Sequence, residues 1–112
     1  MIEFNEIYNK MEEKMEERKK GINLSKSKGI DAVIQYNVSG DNGGHFHIQV
    51  ADGNLAVVKD AHENPNINFY ISGDDLIDML EDRLSGGAAM FSGKLKIKGD
   101  MKLLTKLRKI MG

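Results

Sequence analysis

The chain has 112 residues, of which 40% are hydrophobic and 29% charged, and its formal net charge is −1; this size and balance predict a single soluble domain over residues 1–112 and disfavour disorder and a nucleic-acid partner. It contains no cysteine, which excludes disulfides, thiolate catalysis and cysteine-held zinc. The opening MIEFNEIYNKMEEK sets glutamates before any apolar run develops, so neither a signal peptide nor a membrane anchor is read there and a cytoplasmic location is expected.

From Ile2 to Lys20, the residues Phe4, Ile7, Tyr8, Met11 and Met15 fall on one face of a helix. The other positions are almost all charged, a solvated face with Glu6 and Lys10, and Glu16 and Lys20, placed to pair along it. Gly21 and the SKSKG stretch end the helix. From Ile30 the period changes to two. Ala32, Ile34, Tyr36 and Val38 share one side of a strand, with Asp31, Gln35 and Asn37 on the other. SGDNGG has the chemistry of a hairpin loop. HFHIQV follows, with Phe46, Ile48 and Val50 alternating against His45, His47 and Gln49. A turn at ADGN leads to a third strand, LAVVK, and the AHENPN loop to a fourth, where Ile67, Phe69 and Ile71 share a face.

SGDDLIDMLEDRL predicts a helix capped by Ser72, with Asp75 three residues on and Leu76, Ile77, Leu80 and Leu84 in a stripe. GGAAMF is a short apolar helix or turn. In KLKIK, a fifth strand, Leu95 and Ile97 face one way and Lys94, Lys96 and Lys98 the other. Gly99 is expected to bend the backbone so that a last helix, with Met101, Leu104, Leu107 and Met111 along one side, closes over the sheet. Strands this one-sided predict a sheet with one wet face and one covered by helices.

Little in the chain can do chemistry. His45 and His47 share a strand face, as two metal ligands would, with His62 or Glu63 nearby; strand alternation already accounts for them as polar-face residues, and no metal site is assigned. Asp74, Asp75 and Asp78 lie in a first helical turn, where negative charge is favourable for structural reasons. Neither glycine-rich stretch has a phosphate-loop pattern. No catalytic residue and no cofactor are assigned, and an enzyme is not expected.

What is left is apolar surface, and this suffices for a binder. Burying about fourteen methylenes contributes roughly 11 kcal/mol gross, which still allows micromolar affinity after the costs of association. The seven methionines suit an adaptable apolar lining, although they also fill ordinary cores.

The stretches NINFYISGDDLIDML and AAMFSGKLKIKGDMKLLTKL, with upstream strands ending in SGD and ADGN, resemble the sterol carrier protein 2 (SCP2) domain family over essentially the whole chain. The resemblance implies an α+β fold, a five-stranded, mostly antiparallel sheet covered on one face by helices, with an apolar tunnel between the layers for fatty acids, fatty acyl-CoA or other lipids and no catalysis of its own. Carried over by matching elements, the lipid-binding wall would comprise Phe46, Ile48, Phe69 and Ile71 from the sheet, and Ile77, Leu80, Met90, Phe91, Leu95, Ile97, Met101, Leu104, Leu107 and Met111 from the covering half. Two departures stand out. The chain ends Lys109-Ile110-Met111-Gly112, unlike the small-basic-Leu peroxisomal address, and the segment between Leu84 and Ala89 is short and glycine-rich. The expected partner is a lipid or acyl chain, with transient membrane contact at most and a monomer or homodimer as the assembly. The alternative is an accessory protein-protein interaction or dimerisation module that uses the same groove.

Overall fold

A computed structural model describes residues 3–19, 30–51 and 54–111, with side chains through residue 108. Helix α1, Phe4–Lys19, is followed by strands β1 (Asp31–Ser39), β2 (Gly44–Ala51), β3 (Asn54–Val58) and β4 (Ile67–Ser72). Helices α2 (Gly73–Leu80) and α3 (Gly86–Phe91), strand β5 (Lys96–Gly99) and helix α4 (Met101–Met111) complete the described elements. The strands form one sheet in the order β3-β2-β1-β4-β5. All neighbours are antiparallel except β1 and β4, which run parallel with Tyr36 beside Phe69.

The period-two pattern sets the faces. Ala32, Ile34, Val38, Phe46, Ile48, Val50, Ile67 and Ile71 are buried under the helices, because a strand that is half apolar can remove only one side from water. Ile7, Met11 and Met15 of α1, Leu76 and Ile77 of α2, and Leu104 and Leu107 of α4 meet them in a single core. Phe46 lies at its aromatic centre, stacked on Tyr36 at 4.8 Å and approached by the rings of Phe4 and Tyr8 at 6.3 and 6.0 Å. The Tyr8 hydroxyl donates to the Val57 carbonyl at 3.0 Å, tying α1 to the sheet's far edge.

Local signals start the helices where expected. Ser72 Oγ accepts from the Asp75 N–H, Ser85 Oγ from that of Ala88, and Asp100 Oδ1 from that of Leu103. Helix α2 stops at Leu80, short of the expected Leu84. Asp82 takes a φ of 60°, a left-handed conformation that an Asp adopts more easily than most residues and that ends a helix. Leu84 still packs against the core. Gly99 has φ 129°, and a Cβ there would collide with the Asn66 carbonyl oxygen. The Asp100 N–H donates to that same oxygen at 3.0 Å, so the turn into α4 is built around this close approach.

The expected Glu6–Lys10 pairing along α1 is replaced by contacts with the end of α2. Lys10 reaches Glu81 and Lys14 reaches Asp82, both at 3.1 Å, pinning α1 to the end of α2. Glu16 pairs with Lys19 at 2.9 Å, and Lys20, the expected partner, lies outside the described residues. Arg83, held by Asp78 and Glu81, has its pKa raised by those two carboxylates, and the Glu81 carboxyl is held below its usual range by Arg83 and then Lys10.

Candidate functional site

A cavity of about 420 Å³ lies between the helices and the covered face of the sheet. Met11, Lys14, Met15 and Arg18 of α1 form one wall, and Ile34, Tyr36, Ile48 and Phe69 form the floor. Leu76, Met79 and Leu80 of α2 and Leu104, Leu107 and Arg108 of α4 close the sides, with Gly86 and Gly87 at the start of α3. The wall arises because α1 presents side chains at every third or fourth position, so that Met11, Met15 and Arg18 share a stripe. Gly86 and Gly87 leave room where α3 begins: a Cβ on Gly86 would meet only Met79 Cε, at 3.9 Å, and one on Gly87 would meet nothing.

The charged groups described on the lining are few and of one sign. Lys14, Arg18 and Arg108 contribute positive charge, and no carboxylate is among the described lining residues. Lys14 is engaged by Asp82, whereas neither Arg18 nor Arg108 pairs with a carboxylate among the described residues. Burial pushes the Tyr36 phenol up to about 12, against the lowering pull of the Arg18 charge. At neutral pH the hollow therefore offers a protonated phenol and cations, with apolar walls beyond. Such a lining can take an acyl chain and hold a carboxylate or phosphate at its mouth.

Of the residues expected to form a lipid-binding wall, Ile48, Phe69, Leu80, Leu104 and Leu107 line this cavity. Phe46, Ile71, Ile77 and Leu95 are buried in the surrounding core, and Ile97 packs against it. Met90 and Met101 are 41% and 47% exposed, and Phe91, at 97%, projects into solvent away from the lining. The side chain of Met111 lies outside the described residues. The sequence reading did not single out Met11, Met15, Arg18, Tyr36, Met79 or Arg108 as ligand contacts. The signal was present for two of them: Arg18 is seven residues after Met11 and Arg108 four after Leu104, so each cation continues an apolar stripe.

His45 and His47 of β2 stand on the opposite, polar face, and His62 lies in the loop before β4. His45 Nδ1 bonds Asn37 Oδ1 at 3.0 Å, and His47 bonds the Asp60 carbonyl through Nδ1 at 2.7 Å and the Gln49 amide through Nε2 at 3.1 Å. His47 and His62 rings meet edge to face. Among the described residues no three His, Cys, Asp or Glu side chains are grouped to hold a metal. A second hollow, about 580 Å³, opens mainly on this polar side, bordered by Asn37, His45, Tyr70, Lys94 and Lys96. Among the described residues no helix is long and apolar enough to cross a membrane.

Comparison with known proteins gives a consistent picture. Residues 9–112 match the family model described as the SCP-2 sterol transfer family. The chain is 35% identical over 86 residues to hydroxysteroid dehydrogenase-like protein 2 of Bos taurus, covering 75% of this chain and 20% of that protein. It is 32% identical over 94 residues to peroxisomal multifunctional enzyme A of Dictyostelium discoideum, covering 82% and 21%. It thus spans about a fifth of the length of these curated relatives. The solution structure of palmitated SCP2L2 from Aedes aegypti superposes with a TM-score of 0.70 at 16% identity, covering 91% of each chain, a likeness of fold.

Proposed function

The chain belongs to the SCP-2 sterol transfer family, and from that premise we propose that it is a non-catalytic carrier of anionic amphiphiles, fatty acids or fatty acyl-CoA, with the acyl chain in the cavity beneath α1 and the head group at Arg18 and Arg108. One observation carries this reading: an apolar hollow of about 420 Å³ whose charged lining residues, among those described, are Lys14, Arg18 and Arg108. At about 30 Å³ per water molecule, that space corresponds to roughly fourteen waters. Their replacement by an acyl chain is favourable through area removed from water alone. The cations then select the head, since a charge-assisted bond to a carboxylate is worth about 1.5–3 kcal/mol and a neutral head forgoes much of it. The palmitated state of the Aedes aegypti neighbour supports an acyl chain as the occupant of this fold. The dehydrogenase and multifunctional-enzyme names belong to proteins about five times as long; their chemistry is assigned to the remainder of those chains.

The test is a melting series with fatty acids and the fatty alcohols of equal length, together with solvent extraction and mass spectrometry of the purified protein. At a free ligand concentration of a hundred times Kd the fatty acid should add about 2.7 kcal/mol of stability. For 112 residues this is a rise in Tm of about 11 °C, taking roughly 2.1 cal/mol/K per residue for the unfolding entropy. The alcohols should give less. Absence of both extracted lipid and any shift overturns the proposal, and a dimer by light scattering in that case points to the interaction-module alternative.

A further inference from the structure

The near-neutral total charge conceals a strong separation. From Phe91 to Gly112 the chain carries seven Lys or Arg and one Asp, whereas the first ninety residues carry nine Lys or Arg and sixteen Asp or Glu. The segments are therefore about +6 and −7 at neutral pH. The described cations of the positive segment lie on the outside and at one border. β5 is an edge strand, and Lys94, Lys96 and Lys98 are exposed along it, followed by exposed Lys102, Lys106 and Arg108 on α4. Beside these cations stand exposed large apolar side chains. Phe91 is 97% exposed at the end of α3, with Met90 next to it at 41%. Tyr70, 40% exposed, lies on the neighbouring strand with Lys98 Nζ 5.8 Å from its ring centroid.

We propose that the β5 edge, with Phe91 at its tip, is a docking face for an anionic lipid bilayer. Charge complementarity favours that occupant over another protein or a second copy. The apolar part is a narrow tip ringed by lysines, too small for the broad buried patch of a stable dimer, whereas one inserted aromatic plus a basic cluster supplies the two weak signals that together hold a protein at a membrane surface. Asp75, on the rim of the adjoining hollow, and Asp100 are the acids in this region, and both are outnumbered. The glutamate-rich outer side of α1 would be repelled by the same surface, which fixes the orientation. Docking so arranged also places the cavity mouth near the lipid, because α3 carries Phe91 at one end and the cavity-lining Gly86 at the other, about 8 Å away along a helix of this length.

The experiment is co-sedimentation of the full chain with phosphatidylcholine vesicles, with and without a phosphatidylglycerol fraction, at low and high salt. The chain should sediment with the anionic vesicles only, and salt should release it. Replacing the three lysines together, Lys94→Gln, Lys96→Gln and Lys98→Gln, should weaken partitioning by roughly a hundredfold, about fivefold per charge. Phe91→Ala should weaken it by roughly tenfold. Neither variant alters the cavity lining, so melting temperature and uptake of a fluorescent fatty acid in vesicle-free solution should stay as in the unmodified protein. That parallel readout separates a failure of docking from a failure of ligand binding. Equal sedimentation with neutral and anionic vesicles overturns the proposal, as does indifference to either variant. A dimer in light scattering that Phe91→Ala disrupts, without vesicle binding, assigns the face to a second copy and overturns it too.

Discussion

Plugging the cavity from its own wall distinguishes a ligand site from an incidental gap. Gly86 is half-buried, lines the hollow and does not have a positive φ; its absent Cβ would touch only the flexible end of Met79. Gly86→Leu is therefore compatible with the backbone and directs four carbons toward space now unfilled. Restricting the unfolded chain is worth about 0.4–1 kcal/mol, and burying a leucine side chain about 1.5–3 kcal/mol when complete. Because the hollow is open to solvent, roughly half of the burial term is realised, and the apo protein gains about 1–2.5 kcal/mol. With an unfolding entropy of roughly 2.1 cal/mol/K per residue, this raises Tm by about 4–10 °C. The same leucine occupies the route of an acyl chain, so the fatty-acid-induced shift should collapse. Melting curves with and without fatty acid, alongside displacement of a fluorescent acyl probe, read both effects. An apo Tm that does not rise, combined with probe affinity equal to that of the unmodified chain, refutes the assignment of the cavity as the binding site.

Three other outcomes are expected. Arg18→Gln with Arg108→Gln should weaken fatty-acid binding by roughly ten- to a hundredfold, the value of a lost charge-assisted bond, and leave the matched alcohol almost unchanged in the same displacement assay. The Tyr36 phenol, pushed up to about 12, is kept neutral by the fold. The stability this represents is complete below pH 10, the ordinary phenol value, and is lost as pH rises from 10 through 12, at most about 1.4 kcal/mol per unit. Alkaline difference absorbance should show a late phenolate transition that loses one tyrosine's amplitude in Tyr36→Phe, since the Tyr8 phenol is also raised, by burial and by Glu12; an unchanged late amplitude in that variant contradicts it. Phe46→Ala removes a fully buried ring contacted by Phe4, Tyr8 and Tyr36; a loss of about 3–5 kcal/mol is expected in urea unfolding, whereas a loss below 1 would show that the aromatic cluster is not what holds α1 to the sheet.

Period carried most of the fold. Alternation through AVIQYNV and HFHIQV assigned Ile34, Phe46 and Ile48 to the covered face because a strand has only two sides, and the structure buries all three. The end of α2 was not legible, since Leu84 continues the apolar stripe while the terminating feature, the left-handed Asp82, is a conformation and not a pattern. The candidate site divides the same way. Ile48, Phe69, Leu80, Leu104 and Leu107 line the cavity, yet an apolar stripe looks identical whether its residues pack on a neighbour or border a void, so Ile71 and Ile77 were grouped with them although they are core. Phe91 illustrates the opposite limit: in a short GGAAMF segment with no full helical period, nothing in the local pattern tells an inward aromatic from one that is 97% exposed.

The position of the void along α1 follows from how that helix is loaded. Its first half carries Phe4 and Tyr8, whose rings approach Phe46, and the buried Ile7, and none of the three lines the cavity. Its second half carries Met11, Met15 and Arg18, unbranched or charged side chains that line the cavity together with Ile34 and Ile48. Lys10 to Glu81 and Lys14 to Asp82 join the middle of the helix to the residues that follow α2. Were the resulting 420 Å³ sealed and dry, cavity energetics of about 24 cal/mol per Å³ would cost on the order of 10 kcal/mol, as much as a whole domain of this size has to spare. The open, cation-rimmed mouth avoids that cost by admitting water, which an apolar wall holds poorly. A guest with an acidic head and a long tail satisfies the mouth and the wall at once, and for that reason the loaded protein should be the more stable form.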